Sequence, residues 1–435
     1  MQAEPPRPKT RWKTRTVAII IIIIAAVAAT SAGGAYYYIN FVAPHSPCAS
    51  GSDTIKVGFT ISLTGTYNVE GTKSLAGIKA AASWINDNGG VTANGKTYNI
   101  ALCYYDDQSS SSLIPSLYTK LITQDHVQFL LAPYSSPLTG AAAPLAEQYN
   151  LVMLSHGGSS DSIWTKGYKN VFGVLSAAST YFNNAIDWIK ANHPTDKLAF
   201  LYAEDSFSKF ASAAATRYAT SQGLTVVYNS SYPATAQDLS TPLSGAKLAG
   251  AVDLLGGGHL ADGEFITKQL SQVGWTPHFI SLLVAVTEPE FQQQLGSAAN
   301  LVTGPSQWET SVAYSPVSAQ TAGLPWYGPN ETQFVDYYSQ QSNAGSPTYH
   351  SGEAGAAILV LADAIGKANS IDTTSVRQTI MSLDVITFFG EFRVDSTGKQ
   401  AGHSMVLVQW QGGKLVVVAP GAAASGSVIY PYTGS

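Results

Sequence analysis

From Ile55 onward the chain alternates between two apolar rhythms. In "IKVGFTIS" (Ile55 to Ser62) every second residue, Ile55, Val57, Phe59 and Ile61, is apolar, the period of a strand with a buried face. After "LTGTYNVEG", Leu75, Ile78, Ala82 and Ile85 fall on one side of a helix, which "DNGGV" stops. "YNIALCYYDD" predicts the next strand, ending in Asp106 and Asp107, and Leu113, Leu117 and Leu121 mark a second helix. "VQFLLA" then reads as a strand, "AAAPLAEQY" as a helix, and "LVMLS" as a strand opening into "HGGSSDS". The alternation restarts with the helix "TYFNNAIDWIKANHP" and the strand "LAFLYAE". It continues through "FSKFASAAATRYATSQG", "LTVVYN", "VDLLGGG", "GEFITKQLSQVG" and "HFISLL". Strand and helix in turn predict parallel sheets covered on both faces. Two such series predict an α/β chain of two Rossmann-like lobes.

In sheets of this kind ligands sit beyond the carboxyl ends of the strands. Ser135 and Ser136 follow the end of "VQFLLA", and Gly157, Gly158 and Ser159 follow the end of the neighbouring "LVMLS". Hydroxyls and free backbone N–H groups at a strand-to-helix junction can cradle an anion or a carbonyl oxygen. Taken alone, "YSSP" reads first as a simple helix cap. The two polar loops side by side favour the cradle.

The N-terminus has a different pattern. Arg7, Lys9, Arg11, Lys13 and Arg15 precede the uncharged run "VAIIIIIIAAVAATSAGGAYYYI" from Val17 to Ile39. Its length suits a membrane-spanning helix. The basic segment 1–16 predicts a cytoplasmic side, and Tyr36, Tyr37 and Tyr38 suit the interfacial belt. A cleaved signal peptide with "SAGGA" as the processing site is the alternative. Residues 40–53 read as a stalk. The body is therefore expected outside the cell: on a single-pass cell-membrane protein, or secreted or periplasmic if the segment is cleaved.

Only 12% of residues are charged, so Gly, Ala, Ser, Thr and Tyr carry much of the surface. A net charge of −5 without basic clusters in the body argues against a nucleic-acid partner. "GGGHLADGE" lacks the Lys-Ser/Thr of a phosphate loop, and the eight histidines show no metal-ligand spacing. No catalytic motif stands out, and neither an enzyme, a cofactor nor a metal is expected. Cys48 and Cys103 are either a disulfide or, with Cys103 inside a strand, free thiols. Asn229 and Asn330 begin sequons that are candidates for glycosylation.

The order of these pieces resembles the type I periplasmic-binding-protein fold, and more closely the branched-chain amino acid (Leu/Ile/Val) binding family of ABC transporters. The resemblance is carried by "IKVGFTISLTGTYNVEGTKSLAGIKAAASWINDNGGV", "YNIALCYYDD", "LLAPYSSPLTGAAAPLAEQYNLVMLSHGGSS" and the closing "FFGEFRVDSTGKQAGHSMVLVQWQGGKLVVVAP". It implies two lobes joined by three crossovers, near Gly173–Ala177, Thr303–Pro305 and Thr387–Gly390. Lobe 1 would then be 54–175 and 305–387, lobe 2 176–304 and 388–420, with a tail at 421–435. By the same resemblance Ser135, Gly157, Gly158 and Ser159 hold a ligand carboxylate, with Ser136 beside them, and Phe207 covers the ligand. His259 is a further candidate contact. The family's carboxylate after "HFISLL" is missing, since Leu283 or Val284 stands there. The loop after the first strand has Glu70-Gly71, with Tyr67 nearby. A buried ammonium without a counter-charge is costly, so either Glu70 supplies the acid or the ligand is not an α-amino acid but an amide, a urea-like compound or an aromatic acid.

The resemblance implies a substrate-binding component of an ABC importer, with permease and ATPase subunits as partners and a small polar solute held between hinged lobes. A ligand-sensing receptor ectodomain and a surface or filament subunit are the alternatives.

Overall fold

The structure, a computed structural model, describes residues 53–434 except 313 and 342–344, and before them His45, Ser46, Cys48 and Gly51. The basic segment 1–16 and the apolar segment 17–39 lie outside the described residues. Among the described residues no single helix is long and apolar enough to cross a membrane.

The first series of elements is β1 (Thr54–Ile61), α1 (Asn68–Asp87), β2 (Val91–Ala93), β3 (Lys96–Asp106), α2 (Ile114–Thr123), β4 (Phe129–Leu131), α3 (Ser136–Gln148), β5 (Met153–Ser155) and β6 (Val171–Gly173). The sheet runs β3–β1–β4–β5–β6, parallel throughout, with β2 folded back antiparallel on β3. Helix α3 starts at Ser136, earlier than its apolar rhythm suggests. Pro137 falls in its first turn, where a proline's missing N–H costs nothing.

The second series is α4 (Asn183–Asn192), β7 (Lys197–Ala203), α5 (Ser206–Ser221), β8 (Thr225–Tyr232), α6 (Ser240–Leu248), β9 (Asp253–Gly257), α7 (Leu260–Gln272), β10 (Phe279–Leu282), α8 (Pro289–Leu295) and β11 (Thr303–Ser306). Parallel pairing runs β11–β10–β9–β7–β8. Along β7, Ala199, Leu201 and Ala203 face one core, while Leu198 and Phe200 face another. Both faces of this sheet are thus covered, as parallel sheets require.

The chain then adds α9 (Pro316–Ala322), α10 (Glu331–Ser339), α11 (Tyr349–Ala368), α12 (Thr373–Ser382), β12 (Val385–Thr387), β13 (Gly390–Phe392), β14 (Val406–Gln411) and β15 (Lys414–Ala419). Helix α11 packs along α1 so closely that a Cβ at Gly77 would collide with the backbone oxygen of Ser351. Strands β14 and β15 extend the second sheet in antiparallel fashion. Gly412 and Gly413, at φ 56° and 78°, make their two-residue turn, the backbone such a hairpin needs.

The cores show which stretch belongs to which lobe. Val174 packs in the first core and Ala178 in the second; β11 lies in the second sheet, but Trp308 packs in the first core. The closing segment departs from expectation. Phe388, Phe389, Phe392 and Val394 pack in the first core, and Met405 is the next residue to join the second. The third crossing therefore follows Val394 instead of lying near Thr387–Gly390. The cause is aromatic packing: Phe388 stacks on Phe334 at 4.0 Å and meets Trp308 edge-on at 5.6 Å. The tail is also packed, with Tyr432 buried in the second lobe and its N–H donating to the His278 carbonyl. Cys48 and Cys103 are joined in a disulfide. Asn229 and Asn330 are both exposed.

Candidate functional site

Two loops at the carboxyl ends of β4 and β5 form the floor. Ser135 precedes α3 at φ 78°, ψ 149°, a region nearly reserved for glycine that costs a serine about 1–3 kcal/mol. Its side chain makes no capping bond to the helix. Its Oγ is buried beside the Tyr67 hydroxyl without reaching hydrogen-bond geometry. Ser136 ties the loops together, its Oγ accepting the N–H of Ser159 at 3.1 Å and of Ser160 at 2.9 Å. Gly157 admits no side chain, because a Cβ there would stand 2.8 Å from Tyr134 Cα. Gly158 is blocked by Thr139 and braced by Ser155, whose Oγ donates to the Gly158 carbonyl at 3.0 Å.

The second lobe supplies the roof. Phe207 sits in the first turn of α5, where Asp205 accepts its backbone N–H at 2.7 Å. The Phe207 ring meets Tyr181, from the first crossing, edge-on at 5.0 Å. His259 precedes α7, and its N–H donates to Asp262 at 2.8 Å. Its Nδ1 lies 3.1 Å from the Tyr134 hydroxyl of the other lobe. Val284 follows β10 at φ 23°, unusual for a β-branched residue. Strained backbone thus faces the site from both lobes.

The third wall is the first turn of α11, with Tyr349, His350 and Glu353. Glu353 and His350 are fully buried, with His350 Nδ1 3.1 Å from Glu353 Oε1. Glu353 Oε2 has no hydrogen-bond partner. On the far side of His350, Glu288 Oε1 lies 3.4 Å from Nε2. Glu288 Oε2 instead takes Lys73 Nζ at 2.5 Å, and Lys73 also reaches Glu290 at 2.7 Å. Lys73 comes from α1 and both acids from the second lobe, so this ion pair joins the lobes. Burial, then the charge of Lys73, holds His350 well below the usual imidazole range. Burial first, then Glu288, pushes Glu353 well above the usual carboxylate range. Among the described residues no cluster of His, Cys, Asp and Glu is arranged to hold a metal ion.

Of the sequence-derived candidates, Ser135, Ser136, Gly157, Ser159, Phe207 and His259 line one cavity. Gly158 packs just behind it. Tyr67 is set back, its ring tilted against His259 at 4.5 Å. Glu70 does not line the cavity; it is fully buried in the first turn of α1, with both oxygens unpartnered. The acid missing after "HFISLL" has no replacement in the cavity from that loop: the next carboxylate, Glu288, follows a short 3-10 turn (Val284–Thr287) and is paired with Lys73 away from the cavity lining. Sequence reasoning missed Tyr181, Tyr349, His350 and Glu353. The available signal was a histidine and a glutamate opening "YHSGEAGAAILVLADAI", since charges in so apolar a helix are rarely buried without a purpose.

A cleft between two α/β lobes, floored by polar loops and roofed by rings, defines a binding protein for a small molecule. The chain belongs to the periplasmic binding protein family, whose profile matches residues 54–414. It is 24% identical over 396 residues to Leu/Ile/Val-binding protein homolog 7 of Brucella melitensis, covering 88% of this chain and 96% of that protein. The fold is shared with the branched-chain amino acid transporter substrate binding protein LivJ of Streptococcus pneumoniae in complex with isoleucine. That likeness has TM-score 0.70 and 21% identity, over 87% of this chain and all of that one (100%). A solute binding protein of an ABC transporter from R. palustris, in complex with 4-hydroxybenzoate, aligns at TM-score 0.69 and 19% identity, over 85% and 96% of the two chains.

Proposed function

We propose that this chain is the extracellular solute-binding component of an ABC uptake transporter. It captures a small polar solute between its lobes and presents it to permease and ATPase subunits. The observation that carries this reading is the enclosed junction where Ser135, Gly157 and Ser159 of one lobe meet Phe207 and His259 of the other. The family, and relatives named as transporter binding proteins, support it. The remaining cavity is about 10 Å³, at the lower limit for one water, so the lobes must part about their three crossings to admit a solute. Ser135 and Ser159 hold the carboxylate or carbonyl end of the solute. The basic residues before Val17 and the apolar run to Ile39 anchor the chain, with its body outside.

A thermal-shift screen of the full-length protein over amino acids, amides, urea and small organic acids tests the function, since a solute that binds only the folded state raises its melting temperature. At least one class should give a saturable shift. A flat response across all of them contradicts the reading.

A further inference from the structure

The cavity walls carry an unbalanced set of charges. Glu353 is the carboxyl group among its lining residues, and no lysine or arginine lines it. Lys73, the nearby buried cation, is committed to Glu288 and Glu290 across the lobes. Glu353 is itself half-satisfied: Oε1 rests on His350, and Oε2 has no partner. Its helix is locked in place by the close packing of α11 on α1 at Gly77. His350 in turn sits edge-on to Tyr134 at 5.0 Å, the residue next to Ser135. The carboxyl group and the serine cradle are therefore neighbours around one small cavity.

With no lysine or arginine on its walls, the cavity offers the negative charge of a plain organic acid no counter-ion, a costly arrangement. A zwitterion avoids that cost. Its carboxylate can accept from the serine hydroxyls and loop N–H groups, while its ammonium donates to the open oxygen of Glu353.

Building on the solute-binding reading, we propose that Glu353 is the ammonium acceptor of the site and that the solute is a small zwitterionic α-amino acid. The acid comes from α11 of the first lobe, not from the loop after β10 and not from Glu70, which is set back from the cavity. Glu288, at the end of that loop, is already neutralised by Lys73.

The test compares matched ligands on the full-length protein by calorimetric titration: L-leucine, L-isoleucine and L-alanine; 4-methylpentanoate, which is leucine without its ammonium; 4-hydroxybenzoate; and acetamide. Wild type should bind at least one amino acid and prefer leucine to 4-methylpentanoate by roughly ten- to a hundredfold, the worth of a charge-assisted hydrogen bond. Glu353→Gln should erase that preference, and Glu353→Asp should restore part of it. If Glu353→Gln does not fold, the wild-type preference and the Glu353→Asp titration still decide. Tighter binding of 4-methylpentanoate, 4-hydroxybenzoate or acetamide than of any amino acid overturns the inference. So does amino acid binding that ignores Glu353 while still depending on Ser135 and Ser159, which leaves the solute-binding reading intact. If no ligand binds, or binding survives the loss of both serines, the underlying reading fails as well.

Discussion

Replacing Glu70 with Gln should make the protein more stable at alkaline pH. Glu70 is fully buried with neither oxygen hydrogen-bonded. Burial first, then the charge of Glu288, pushes its pKa from an ordinary 4.5 up to about 8. A carboxyl group whose pKa is raised by folding holds its proton more tightly in the folded state. Its contribution is fully present below the unfolded pKa and is lost as pH rises through the folded one. The window for Glu70 therefore runs from 4.5 to about 8. At about 1.4 kcal/mol per pH unit, that window sets a ceiling of about 5 kcal/mol lost by pH 9. Glutamine keeps the shape and never ionises, so Glu70→Gln should match wild type near pH 5 and exceed it by a few kcal/mol at pH 9. Asp253, pushed up to about 8 chiefly by burial, and Glu353 titrate in both proteins and cancel in the comparison. Urea denaturation of both proteins at pH 5, 7 and 9 reads the difference directly. Parallel pH profiles, or a variant weaker at pH 9, would refute the account of Glu70.

Ser135→Ala should lower solute affinity by roughly one to two orders of magnitude, the loss of one hydrogen bond to a charged group. Its melting temperature should barely change, because Ser135 makes no cap bond; retained affinity with about 1 kcal/mol lost stability would restore the capping role. Lys73→Met strands two carboxylates, one of them fully buried, and should cost about 3–5 kcal/mol at pH 8. The cost should shrink as pH falls toward 5, because burial raises the Glu288 pKa and protonation lessens the stranded charge; an equal cost at both pH values would count against the pairing. Thiol labelling of the denatured, unreduced protein should find no free thiol at Cys48 or Cys103, and two labelled cysteines would contradict the bridge.

The sequence made the scaffold readable where local rhythm and tertiary packing agree. Strand β1 alternates because one face lies under α1, and the two polar loops stand out because serines and glycines interrupt apolar strands. Short strands such as β6 were lost because three residues show no period. The position of the third crossing was hidden because Phe388 finds its partners, Trp308 and Phe334, only through long-range aromatic packing. The site was half legible for a similar reason. Ser135, Gly157 and Ser159 are local features of two loops. Glu353 and His350 lie some two hundred residues further along, inside a helix whose apolar composition reads as core. Glu70 has the right chemistry and sits close by, yet the first turn of α1 buries it behind the site instead of in the cavity.

The central claim is that a solute is held between the lobes at the serine cradle. A crystal structure of the protein grown with the solute that most raises its melting temperature tests it most directly. The account predicts that solute enclosed between Ser135 and Ser159 on one side and Phe207 and His259 on the other, with a polar end against the serines. A solute bound on the outer surface of either lobe, with the cleft residues untouched, would contradict it.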